Sequence, residues 1–301
     1  MNPRIDFVAA AILACVVGCA AQELEPRAYS VSPTGAKFAV VGLARSAGDI
    51  DFDPSLPIED AHAVIYGTFV TLGRALDFFG RSANVAVTLP YLLGNLEGEI
   101  NGNPEQAHRS GFANPAARLS VNLYGAPAMD FEQFAQYRRK TNIGASVVVV
   151  APLGQYDPAR FVNIGTNRWA AKPEIGFSQR LGRWYVDLYL GAWIFSANDD
   201  YLGRVRTQDP IGIVQVHVSY NLKPHLWIAF DANYYTGGRT SMDGVAGADL
   251  QRNSRLGATI SIPVTKQQSI KFSGSSGAIT NIGADFKAIG VAYQYLWGGR
   301  L

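Results

Sequence analysis

The segment Lys287–Trp297 places Ile289, Val291, Tyr293, Tyr295 and Trp297 at alternate positions, with Ala288, Gly290, Ala292 and Gln294 between them. In a β-strand successive side chains point to opposite faces, so one face here is large and apolar and the other small or polar. Two kinds of fold accept such strands. A water-soluble barrel or sandwich packs the large face inward. A membrane barrel turns it out to lipid and encloses the small, polar face in its lumen.

The N-terminus decides between them. Arg4 precedes an apolar run from Phe7 to Gly18, and Cys19-Ala20-Ala21 precedes the polar Gln22-Glu23. This is the layout of a secretory signal with small residues at its cleavage site, and the run is shorter than a spanning helix requires. The expected organisation is a signal peptide over 1–21 and one barrel domain over 22–301. Val16-Val17-Gly18-Cys19 also has the form of a lipoprotein signal with Cys19 lipidated; a retained anchor is a third possibility. Cleavage after Ala21 removes both cysteines, Cys15 and Cys19, and with them any disulfide or thiolate metal site. A net charge of +2 without long basic runs argues against nucleic acid as a partner.

Twelve segments have strand character, near 36–46, 61–73, 83–91, 115–125, 140–152, 170–181, 183–197, 210–222, 226–236, 253–264, 267–276 and 287–297. Most have the length of a tilted transmembrane strand. The links between them alternate. Ala47–Asp60, Leu92–Asn114, Leu153–Trp169, Asn198–Asp209, Gly237–Arg252 and Gly277–Phe286 are long and polar, whereas Gly182, Asn221–His225 and the region of Lys266 are tight. Long and short links in strict alternation are what an up-and-down membrane barrel produces, with short periplasmic turns and longer external loops. One link on the short side, Ala126–Arg139, is long, and Phe131, Phe134, Ala135 and Arg138 have helical spacing, which predicts a short amphipathic helix at the inner rim. The predicted fold is an all-β, single antiparallel up-and-down transmembrane barrel of about 12 strands.

Several words in this chain stand in a recognisable order. They are Leu24-Glu25-Pro26-Arg27-Ala28-Tyr29-Ser30, Phe52-Asp53-Pro54-Ser55-Leu56-Pro57-Ile58, Ala151-Pro152-Leu153-Gly154-Gln155-Tyr156, and Gly165-Thr166-Asn167-Arg168-Trp169 with Lys172-Pro173-Glu174. Asn198-Asp199-Asp200, Gln208-Asp209-Pro210, Tyr234-Tyr235-Thr236-Gly237-Gly238-Arg239 and Asn253-Ser254-Arg255-Leu256-Gly257 follow. Together they resemble the outer-membrane transporter family named after the MetA-pathway (meta-pathway) of phenol degradation, over nearly the whole mature chain. The resemblance implies a β-barrel channel of the Gram-negative outer membrane, in part linked to aromatic catabolism. Outer-membrane barrels commonly finish on an aromatic residue, whereas here Gly298-Gly299-Arg300-Leu301 follows Trp297.

The polar faces of the predicted strands carry Arg118, Asn122, Glu174, Arg180, Asp187, Gln215, His217, Asp231, Asn233 and Arg255. An Arg or Lys on the lipid face near the midplane costs about 2–4 kcal/mol, so these are expected to line the lumen. There they either set the charge and size preference of a pathway or pair across it, Glu174 with Arg180 and Asp187 with Arg255, as braces. The aromatics Trp169, Trp184, Tyr185, Trp193, Tyr201, Trp227, Tyr234, Tyr235, Tyr293, Tyr295 and Trp297 suit interfacial girdles. Trp193 and Trp227 have an alternative place in the lumen, against an aromatic solute.

Other motifs carry less. Asp49, Asp51 and Asp53 offer oxygen ligands of the kind calcium takes, but without the glycine and distal glutamate of an EF-hand loop they read as a solvated external loop, as does Asn198-Asp199-Asp200. Gly237-Gly238-Arg239 lacks the lysine and helix of a phosphate cradle. His217 and Ser219 share a strand face, with Asn233 on the next strand, a set reminiscent of barrel phospholipases that would need a histidine-activated serine beside an oxyanion site. A polar lumen pair explains them better, so no catalytic residue, cofactor or metal is assigned. The expected function is passive passage of small, hydrophobic or aromatic solutes, with outer-membrane lipid, the solute and the barrel-insertion machinery as partners. A closed barrel with a structural or partner-binding role is the alternative, and a barrel lipid hydrolase the third reading.

Overall fold

The protein is described here by a computed structural model covering residues 24–51, 58–138, 140–160 and 162–298. The expected signal peptide, the residues 52–57 with Asp53, and the tail beyond Gly298 lie outside the described residues. The strands in chain order are β1 (Lys37–Asp51), β2 (Ile58–Phe78), β3 (Arg81–Ile100), β4 (Asn103–Phe112), β5 (Ala116–Tyr124), β6 (Thr141–Val150), β7 (Ala170–Leu181), β8 (Trp184–Phe195), β9 (Asn198–Tyr201) and β10 (Arg204–Gln208). They continue as β11 (Ile211–Lys223), β12 (Leu226–Gly237), β13 (Thr240–Met242), β14 (Val245–Ala246), β15 (Gln251–Pro263), β16 (Gln268–Ile279) and β17 (Gly283–Trp297).

Twelve of them, β1–β3, β5–β8, β11, β12 and β15–β17, pair antiparallel with their neighbours and close into a barrel. The closing pair, β1 with β17, runs in unbroken register from Lys37↔Trp297 to Asp51↔Gly283. Closure leaves no strand edge to satisfy in lipid. Along β1, Val41 and Leu43 are 48% and 58% exposed while Gly42 between them is buried, which is the inverted pattern of a membrane barrel. On the outer face Lys37 and Arg74 stand side by side at one level, and Arg45 and Tyr66 at another. Those levels are eight residues apart on β1, about 26 Å of strand. At a tilt near 40° that is a belt about 20 Å tall, close to the apolar band of such barrels. Ile289, Tyr293 and Tyr295 of the final strand are exposed on this outer face.

Three of the long links are ladders, not loops. β2 and β3 stay paired up to Ile58↔Ile100, and β4 pairs back along the upper half of β3 through a hairpin whose Asn101 and Gly102 have φ of 54° and 72°, the left-handed values a two-residue hairpin turn needs. β9, β10, β13 and β14 form a second, four-stranded sheet over the barrel mouth. A pattern of apolar outward residues misses these because above the membrane the outer face meets water: Asn95 and Glu97 take the outward places that Leu89 and Leu93 hold below them, while Leu96 packs inward against the buried Ile50, Ala61 and Phe286. At the opposite rim the expected helix forms as α1 (Phe131–Gln136), capped by Asp130 accepting from Gln133 N at 2.8 Å. Ala128 N donates to Gly80 O in the β2–β3 turn, and Thr34 N to Met129 O before β1, so the helix sits with the termini on the short-turn, periplasmic side.

Candidate functional site

The barrel interior is the candidate site, and all ten residues expected to line it fall on inward-facing positions of their strands. Of these only Arg118 and Arg180 are not fully buried. The bracing partners differ from those expected. Glu174 is held by Lys172 Nζ at 3.4 Å and Arg118 Nη2 at 3.6 Å, whereas Arg180 donates to Gly182 O in its own turn. Glu174 and Arg180 are six residues apart on one strand, about 20 Å, which is too far for an ion pair. Asp187 accepts from Ser178 Oγ, and Arg255 donates to Ser275 Oγ and Phe286 O. His217 Nδ1 meets Asp231 Oδ1 at 2.6 Å, and Thr259 donates to the other carboxylate oxygen. Gln215 donates to Glu174, and Asn233 accepts from Arg255 N. Asn122 accepts from Asn142, whose amide also reaches Tyr29 O.

That last contact belongs to the feature the strand pattern missed. The segment from Leu24 to Ala36 enters the periplasmic half of the lumen. Arg27 donates to Ser219 Oγ and Asn221 Oδ1, both at 2.9 Å, and lies between the rings of Tyr185 and Trp227 at 4.5 and 4.4 Å. Tyr29 is 2% exposed and donates to Glu174 Oε1 at 3.0 Å; Ala28 N donates to Tyr189 Oη and Arg118 binds Glu25. Gly144 and Gly176, on neighbouring strands, leave the space the Tyr29 ring fills. The word Leu24–Ser30 is thus a plug as well as a leader into β1. Only its arginine and tyrosine beside a proline could have hinted at that.

Above the plug the lumen becomes aromatic. Trp193, Ile211, Ile213 and Tyr235 form a buried cluster with Val148, Val150 and Phe195 against it. Trp193 and Trp227 therefore take the lumen place that was their alternative, while Tyr235 and Tyr185 also face the interior and Tyr201 is buried in the mouth, which corrects the assignment of these three to the girdle; Trp169, Trp184, Tyr234, Tyr293 and Tyr295 remain on the outer face. Cations sit on these rings. Lys172 Nζ is 5.6 Å from the Trp193 centroid, Arg168 Cζ 4.3 Å from Phe195 and Arg206 Cζ 5.4 Å from Tyr201.

At the mouth the scattered sequence words meet. Gly165 N donates to Gln155 O, Asn198 Nδ2 to Tyr156 Oη and Thr166 O, and Asn167 Nδ2 to Asn198 Oδ1. Arg168 donates to Gln208 Oε1, Gln208 to Gly238 O, and Asp209 N to Arg239 O. Burial, and next the neighbouring Arg206, push the Arg168 guanidinium down to about 9. Burial likewise raises the Tyr201 phenol.

Over residues 60–294 the sequence matches the family described as the putative MetA-pathway of phenol degradation. The chain belongs to this family. No curated protein matches the sequence. Among solved structures, an outer membrane channel from Pseudomonas putida F1 is similar with a TM-score of 0.75 at 20% identity, covering 91% of this chain and 100% of that one. The transport unit of the autotransporter AIDA-I from Escherichia coli follows at 0.56 and 10%, covering 93% and 96%. The β domain of a Bordetella autotransporter follows at 0.51 and 12%, covering 88% and 100%. In this family member the fold is thus that of an outer-membrane barrel.

The remaining motifs settle into plain roles. Asp49 pairs with His62 Nδ1 at 2.9 Å on the outer wall, and among the described residues no cluster of His, Cys, Asp or Glu is arranged to hold a metal. Ser219 and His217 are fully buried, Ser219 accepts from Arg27, and His217 Nδ1 is held by the Asp231 carboxylate.

Proposed function

We propose that this protein is a passive channel for small aromatic solutes across the outer membrane. The observation that carries the reading is the file of cation–aromatic pairs along the lumen, from Arg206 on Tyr201 at the mouth, through Arg168 on Phe195 and Lys172 on Trp193, to Arg27 on Tyr185 and Trp227 in the plug. Of these rings Phe195, Tyr185 and Trp227 are partly exposed, and a ring with a cationic donor beside it suits an aromatic solute with a polar substituent. The ten lumen residues named above set charge and size preference. Membership of a family named for phenol degradation supports an aromatic cargo. The expected cleavage after Ala21 and handling by the barrel-insertion machinery complete the route to the membrane.

A second reading, a closed structural barrel, draws on the plug itself. Flux of labelled phenols and aromatic acids into liposomes carrying the purified protein separates the two. Passive entry that collapses in protein-free vesicles supports the channel; entry equal to that of protein-free vesicles across the panel supports the closed barrel. Uptake in a deletion strain makes the same comparison in cells.

A further inference from the structure

On the outer wall the apolar belt ends, at its extracellular edge, in two cations on neighbouring strands. Arg45 of β1 lies opposite Tyr66 of β2 and Ile289 of β17, and Lys287 of β17 lies opposite Ala47, two residues above Arg45. Such diagonal neighbours across an antiparallel pair are roughly 7–8 Å apart, within the reach of long side chains. Both cations are exposed, and Ala47 beside them adds no bulk. Arg45 Nε donates to Tyr66 Oη at 3.4 Å, and its Cζ is 5.8 Å from the Tyr66 ring centroid. The ring thus steadies the guanidinium while both Nη groups keep their donors for an outside acceptor. Among the described residues no carboxylate pairs with Arg45 or Lys287. The acids next above them, Asp49 and Asp285, stand opposite each other, with Asp49 turned to His62 Nδ1. Below, Val41, Leu43, Val70 and Ile289 form a continuous exposed apolar face.

We infer that Arg45, Lys287 and the Tyr66 hydroxyl form a docking site for a phosphate of the phosphorylated glycolipid that builds the outer leaflet, its acyl chains lying along the apolar face below. The inference goes beyond the channel reading and does not depend on it. A cation that had only to avoid lipid could stand anywhere in the water above the belt. Here two meet at the edge of the belt, where the leaflet places its phosphates just above the acyl layer. One phosphate offers oxygens to a guanidinium fork, an ammonium and a phenol hydroxyl together. Cations at such a surface add to the affinity for anionic headgroups. At the periplasmic edge of the same wall Lys37 and Arg74 stand side by side, which provides an internal control facing the other leaflet.

The test is native mass spectrometry of the purified full-length protein in detergent, titrated with diphosphorylated lipid A and with the same lipid stripped of its phosphates. At about five-fold for each cation, the phosphorylated form should bind about twenty-fold tighter. Arg45→Gln and Lys287→Gln should each lower that preference about five-fold, and the two together should abolish it. Lys37→Gln with Arg74→Gln, at the other edge, should leave it as in the wild type. Equal binding of the two lipids by the wild type overturns the inference, as does a preference that survives in the Arg45/Lys287 double variant or falls equally in the Lys37/Arg74 one. Competition by inorganic phosphate at the lipid's own concentration also overturns it, because a free anion would then suffice. Loss of the preference on adding EDTA does the same, by assigning the phosphate to a metal held between Asp49 and Asp285. Should the double variant fail to fold, judged by migration of the unheated barrel on a gel, the single variants and the wild-type ratio still decide. Solute flux into liposomes without lipid A should be unchanged in both double variants, so failure of the lipid site leaves the channel reading as it stands.

Discussion

The ring of Tyr29 occupies the space that a side chain at Gly176 would need: a Cβ built on Gly176 lies 2.1 Å from Tyr29 Cε2. The glycine on β7 and the tyrosine in the N-terminal segment are thus two halves of one fit, and the plug is seated by what the barrel wall lacks. Gly176→Ala is expected to unseat Tyr29 and raise single-channel conductance in planar bilayers. If Tyr29 stays, the forced contact should instead cost about 1–3 kcal/mol of stability, read by urea titration. A variant with wild-type conductance and wild-type stability would contradict the fit.

Arg27 is the plug's second anchor, with two hydrogen bonds and two aromatic faces. Arg27→Ala removes all four contacts but none from the β-ladder. It should increase the open fraction of the channel in bilayer recordings without changing the melting of the barrel. Combined with Gly176→Ala, its effect should be less than additive, because both act on one segment.

How much of this could be read from the chain follows the physics of each part. The wall was legible, since lipid on one side and lumen on the other force the alternation seen in Lys287–Trp297, and Val214, Val216 and Phe230 repeat it. The identity of the lumen charges was legible too, because lipid excludes them. Their partners were not. Glu174 meets Arg118 through strand placement and side-chain reach, quantities no local pattern encodes, whereas Lys172, two residues away on the same face, lay within the reach of a period-2 reading that the expected pairing with Arg180 passed over. The plug was least legible: Arg27 finds Ser219 across 192 residues of sequence, and Leu24–Ser30 has no periodicity to announce an interior position.

Ser219 anchors Arg27 and does not sit as a nucleophile. Ser219→Ala should therefore alter conductance as a weakened Arg27→Ala would, while hydrolysis of lipid esters stays at background in both wild type and variant. Ester turnover in the wild type that disappears in the variant would revive the hydrolase reading.

Asp231 satisfies two buried donors, His217 Nδ1–H and Thr259 Oγ1–H. Asp231→Leu strands both, at about 1–3 kcal/mol for each unpaired group. The double variant with His217→Leu, which leaves only the threonine, should recover part of that loss. A denaturant titration of the four species gives the coupling, and strict additivity would mean that the pair contributes nothing beyond its separate parts.

The outer face offers the sharpest test of which side meets lipid. Val41 on β1 sits level with Val70 on β2 and Tyr293 on β17, midway between the Lys37–Arg74 and Arg45–Tyr66 levels, and is 48% exposed. Val41→Arg puts a charge at the bilayer midplane and should cost about 2–4 kcal/mol. On the neighbouring strand Gln294 faces the lumen, one residue from Tyr293 and on the opposite side of the wall. Gln294→Arg leaves the charge in contact with the polar interior and should cost less. The comparison is made by folding both variants into liposomes across a urea series. In detergent-free water, where no lipid distinguishes the faces, neither variant should fold, so the difference between them appears only with a bilayer present. Equal loss in both would mean that the wall does not separate lipid from lumen at this level.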